Sequence, residues 1–149
     1  MRTATVRIPW KHPNVTQIQL LRPEGLVASP AFSHVAVVPP GATTIYVGGQ
    51  NAVDADGTLV GGSDVAAQTT KVMENLQTAL AAAGAGIADL VSVTVVLVEG
   101  VDVAAAYGAA APALAGASTP PLVSALFVSA LGVPGALVEV SAVAAVVNP

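Results

Sequence analysis

Cysteine is absent from this 149-residue chain. A disulfide framework, a thiolate nucleophile and a Cys-based metal site are all excluded by that. Charge is almost as scarce: 9% of residues are charged and the mean hydropathy is +0.73, unusually apolar for a soluble monomer. Such a chain is expected to hide a second apolar surface against protein, most simply a copy of itself. Aromatic residues make up 3%, which leaves no base-stacking platform. Five Lys and Arg against nine Asp and Glu give a net charge of −4, the wrong sign for a phosphate-binding surface, so no nucleic-acid partner is expected. Four of the five basic residues, Arg2, Arg7, Lys11 and Arg22, precede Glu24. They read as a mildly basic, solvated N-terminal extension over residues 1–15, ahead of a single acidic domain over 16–149.

No charged residue lies between Asp102 and Glu139, a gap long enough to raise the question of a membrane span. Gly108, Pro112, Gly116, Pro120, Pro121, Gly132, Pro134 and Gly135 interrupt it, so an unbroken apolar helix of about 20 residues does not fit. Met1 to Trp10 also lacks the apolar core of a signal peptide. The expectation is therefore a cytoplasmic protein with no membrane partner.

What is present is periodicity. Gln17 and Gln19 alternate with Ile18 and Leu20, predicting a half-exposed strand over Thr16 to Leu21, ended by Pro23 and Gly25. Strands at His34 to Val38 and Thr43 to Val47 flank Pro39-Pro40-Gly41 and read as a hairpin. From Asp64 to Ala83 the period changes: Val65, Thr69, Val72, Leu76, Leu80 and Ala83 fall on one helical face. Ser63 or Asp64 suits the N-cap and Gly84 the left-handed position after the end. Leu90 to Val98 is β-branched and apolar on both faces apart from Ser92 and Thr94, a strand that expects cover on each side. An Ala-rich helix around Val101 to Ala111 leads to Pro112. Two further strands, Leu122 to Ala130 and Ala136 to Val147, lie either side of Gly132-Val133-Pro134-Gly135. The predicted order is β-β-β-α-β-α-β-β, an α+β sandwich with its helices on one sheet face. Two helices cover one face only, so the other is expected to meet another subunit.

Sparse landmarks run through these elements: Tyr46-Val47-Gly48-Gly49-Gln50, Asp56-Gly57-Thr58, Gln68-Thr69, Asn75-Leu76, Gly84, Asp89 and Leu137-Val138-Glu139-Val140. In this order and spacing they resemble the Rid/YjgF family, also known as L-PSP endoribonucleases, from roughly Leu20 to Val146. The resemblance implies a chorismate-mutase-like fold closing as a homotrimer, with an inner barrel, outer helices and ligand clefts between subunits. It implies imine or enamine hydrolysis as the best-known activity.

Carried over residue by residue, the resemblance makes Glu139 the catalytic carboxylate that orients the attacking water. Phe32, in Phe32-Ser33-His34, forms an apolar wall at the cleft mouth. Gly48, Gly49 and Gln50 contribute main-chain contacts, Gly48 standing where a serine is usual. Val123 and Ser124 belong to the segment Pro121-Leu122-Val123, where active members carry a Pro-X-Arg whose guanidinium grips a substrate carboxylate. With Val123 there, the expected ligand is a small neutral imine, enamine or related carbonyl compound, hydrolysed or merely bound. Arg22 and Lys71 are further cations to which the sequence gives no place in the cleft. No cofactor is expected, and no ligand-spaced His or acidic cluster suggests a metal.

Overall fold

The computed structural model describes residues 15–148. Nearly all of the expected extension over 1–15, with Arg2, Arg7 and Lys11, lies outside the described residues. Six strands and two helices follow in the predicted order: β1 (Gln19–Leu21), β2 (Val35–Val37), β3 (Thr43–Gln50), α1 (Val65–Ala82), β4 (Leu90–Val98), α2 (Val103–Leu114), β5 (Leu122–Val128) and β6 (Val138–Val146), with a 3-10 turn at Ile87–Asp89 leading into β4. The main sheet has the order β3-β6-β4-β5, and β1 and β2 form a separate pair.

Helix α1 starts where its cap predicts. The Asp64 carboxylate accepts from the backbone N–H groups of Ala66 and Ala67, two of the donors a helix start leaves without partners. Gly84 follows the end with φ +73°, which a Cβ would strain. The inward face is the predicted one as far as Leu80: Val72, Leu76 and Leu80 are fully buried, against Val47 on β3 and Val138, Val140, Ala142 and Ala144 on β6, whereas Ala83, expected on the same face, is the exposed C-cap.

Two expectations need correction. The strands around Pro39-Pro40-Gly41 do not form a hairpin: β2 pairs with β1, Leu21 opposite Val35, while β3 pairs with β6, Tyr46 opposite Val143. Pro39 and Pro40 have no N–H to offer a ladder. The turn there, closed by Ala42 N–H donating to the Pro39 carbonyl at 3.3 Å, carries the chain from one sheet to the other. Secondly, α2 does not stop at Pro112 but runs through it to Leu114. Proline removes one helical donor, leaving the Gly108 carbonyl without its partner. Both residues are exposed, so water can take that bond.

The remaining landmarks are structural. Gln68, fully buried, donates to the carbonyls of Gly62 and Gly135 and accepts from Leu137 N–H. Asn75 donates to the Asn51 and Val53 carbonyls, and Asp89 accepts from Gly86 N–H at 2.8 Å. Each satisfies loop backbone that burial would otherwise leave unpaired. Gln68 and Asn75 thereby tie α1 to the loops before it and before β6.

Candidate functional site

Strand alternation divides the expected site residues between two places. On β6, Glu139 lies opposite Val96 of β4 and faces away from the helices, while its neighbours Val138 and Val140 are buried beneath them. The β3–β6 register slips between Val47 and Gln50, so Gly48 and Gly49 sit in an irregular stretch beside Glu139. A Cβ on Gly49 would come 2.5 Å from Glu139 Oε1, whereas one on Gly48 would meet nothing within 4 Å. The carboxylate therefore lies directly over the Gly49 backbone, a position it could not keep beside any residue with a Cβ. Gln50 turns back, its Nε2 donating to the Gly48 carbonyl at 3.1 Å. Gly48, Gly49, Gln50 and Glu139 form one cluster on the helix-free face, the two glycines exposed and Gln50 and Glu139 half-buried.

Val123 lies on the other side of the sheet. It pairs with Val93 of β4, whose buried side chain points to the helices. Together with Phe32 and Ala125 it lines a cavity of about 580 Å³ between α2 and the β4–β5 half of the sheet. Ala106, Tyr107 and Ala110 of α2 form the roof. Small roof side chains leave the space: an alanine does not reach a sheet surface about 10 Å away. Ser124, the next residue on β5, lies opposite Thr94 and so shares the Glu139 face. Within one chain, then, the expected residues form two separate groups: Phe32 with Val123, and Gly48, Gly49 and Gln50 with Glu139, Ser124 standing on the latter's face.

Phe32 is fixed at the mouth by its neighbour. Buried Ser33 donates through its hydroxyl to the Pro120 carbonyl at 2.7 Å and through its N–H to that of Pro121 at 3.0 Å. These bonds clasp the segment to the start of β5. His34 meets Phe32 edge-on at 5.3 Å and places Nε2 2.8 Å from the Val27 carbonyl, a structural role. No group of three His, Asp or Glu side chains able to hold a metal occurs among the described residues. Nor is any helix among them long and apolar enough to cross a membrane.

Sequence reasoning missed two residues that line the cavity. Tyr107 was detectable as the one large side chain within Ala104 to Ala111. Arg22, which also lines the cavity, gave no local signal, because strand pairing brings it there.

The model of the family described as Endoribonuclease L-PSP matches residues 24–146. This chain belongs to the Rid/L-PSP family. Among solved structures, the Rid-family protein YyfB of Yersinia pestis, of unknown function, is similar at 34% identity over 87% of this chain and 99% of its own, with a TM-score of 0.77. RidA from the Antarctic bacterium Psychrobacter is 27% identical over 78% and 94% of the two chains, with a TM-score of 0.62. The YjgF gene product of Escherichia coli is 27% identical over 72% and 83%, with a TM-score of 0.61. The α+β architecture expected from the Rid resemblance is thus the fold of this chain. No curated protein matches its sequence.

Proposed function

We propose that this Rid-family chain binds a small, mainly apolar imine, enamine or carbonyl metabolite in a cleft that a second copy completes within a homotrimer, and hydrolyses it there. The observation that carries the reading is the cavity beneath α2. Its volume of about 580 Å³ falls within the range of small-molecule sites, about 300–1,000 Å³. Apolar side chains dominate its walls, with Val123 where the family resemblance expects an arginine. The division into two groups agrees with assembly. Exposed Tyr46 and Leu126 lie on the Glu139 face and exposed Phe127 on the β5 edge, surfaces that an oligomer would cover. In such a trimer, Glu139 of one subunit orients water at a ligand held against Val123 and Phe32 of the next, and backbone N–H groups near Gly49 stabilise the developing charge.

A binding or regulatory role without chemistry is the second reading, favoured by the absence of both the arginine and the serine. Ribonuclease action has less support, since Arg22 and Lys71 are the only basic side chains among the described residues.

Semicarbazide trapping of imines generated by amino-acid oxidase separates these readings. Hydrolysis by the wild type that Glu139→Ala abolishes is the expected result. Turnover that appears only in Val123→Arg would move the native role to binding. A hydrogen bond to a charged group is worth about 1.5–3 kcal/mol, so that variant should improve carboxylate-bearing substrates roughly tenfold to a hundredfold. Inactivity of both proteins would remove hydrolysis from the proposal.

A further inference from the structure

We infer that Arg22 is the anion-recognition residue of the cavity, and that the ligand is a monocarboxylate with an apolar chain, its carboxylate at the mouth and its chain beneath α2. The inference rests on the cavity being the binding site. Of the side chains lining it, Arg22 alone is charged. Thr69, Tyr107 and Ser118 are the hydroxyl-bearing residues that line it; they carry no charge to match an anion, and the Thr69 hydroxyl is engaged with the Val65 carbonyl at 2.7 Å.

The backbone explains how a residue so far from β5 in sequence reaches this place. Arg22 directly follows β1, and the Leu21 carbonyl accepts from His34 N–H at 2.9 Å, which sets Arg22 beside Phe32-Ser33-His34. Ser33 in turn is clasped to Pro120 and Pro121, three and two residues before Val123. These two links hold Arg22 at the same rim as Phe32 and Val123.

Among the described residues Arg22 forms no ion pair, although Glu24 is two positions away. The ion pair they contain joins Lys71 to Glu74 at 3.3 Å, which occupies the other described cation. An unpaired guanidinium presents a planar fork of donors that matches a carboxylate in a two-point grip. Beside an apolar chamber it selects a molecule with one anionic end and one greasy end. A dianion or a sugar would leave polar groups against Ala106, Ala110 and Val95 with nothing to bond.

Calorimetric titration of the intact protein with hexanoate and with 1-hexanol, at one ionic strength, tests this. Hexanoate is expected to bind more tightly than the alcohol. Arg22→Gln should weaken hexanoate roughly tenfold to a hundredfold while leaving hexanol unchanged, and Arg22→Lys should restore part of the loss. Equal hexanoate affinity in wild type and Arg22→Gln would overturn the assignment of Arg22 while leaving the cavity as the site. Binding of neither probe to the wild type would overturn the cavity reading and this inference with it. Ala110→Leu, which narrows the chamber, should weaken binding of both probes; hexanol and hexanoate affinities both unchanged by it would place the ligand elsewhere and overturn the inference.

Discussion

One sheet face carries both helices, yet its two halves are built differently. Over β3 and β6, α1 inserts Val72, Leu76 and Leu80, each with no exposed surface, and Gln68 and Asn75 hold the loops around it. Over β4 and β5, α2 offers mostly alanine, and a cavity of about 580 Å³ remains. The difference teaches that the solid half supplies stability and so permits the hollow half, whose walls would otherwise collapse or be filled. Polar residues are placed accordingly. In the solid half they are buried and satisfied; at the hollow half the one charged residue stands at the rim.

The sharpest way to break this contrast is Gln68→Leu. It leaves the Gly62 and Gly135 carbonyls and Leu137 N–H without partners, at about 1–3 kcal/mol for each group, and should give the largest fall in denaturant midpoint. Leu76→Ala comes next, with an expected loss of about 2–5 kcal/mol in chemical unfolding. Leu114→Ala, at the cavity, should cost visibly less, and equal losses would mean that the two halves are equally packed. Gly49→Ala displaces the flexible Glu139 carboxylate and should cost less than about 1 kcal/mol in stability while lowering any hydrolytic activity. Gly48→Ala, with open space at its Cβ, should melt within about 0.5 kcal/mol of wild type. One effect is opposite in sign: Ala110→Leu should raise stability by about 0.5–2 kcal/mol by filling part of the cavity. A destabilised Ala110→Leu would show that the chamber is narrower than its walls suggest.

The solid half was also the half most legible in the sequence. The spacing from Val65 to Leu80 predicted α1, a cap at Ser63 or Asp64 and its buried stripe, because hydrophobic period and capping chemistry are local properties. Pairing is not local. The Pro39-Pro40-Gly41 break was read as a hairpin because nothing in Val35 to Val37 announces that Leu21, rather than Tyr46, is its neighbour. Val123 was recognised from its place beside Pro121, but that it and Glu139 face opposite sides of one sheet follows only from their registers with Val93 and Val96. The alanines of α2 were read as helix formers. Their shortness becomes a chamber only when the sheet beneath them is known. Arg22 lay beyond reach for the same reason: two strand ends and a serine clasp place it, and none is near it in sequence except β1.

The Ser33 clasp also bears on the order of folding. Its hydroxyl and the carbonyl it binds are 87 positions apart, yet the core requires longer closures still, since Tyr46 and Val143, opposed in β3 and β6, are further apart in sequence. Contacts so distant favour slow folding. Once β3 has met β6, most of the loop-closure cost of the clasp has already been met, so the Phe32 segment can be fastened to β5 as soon as the sheet exists.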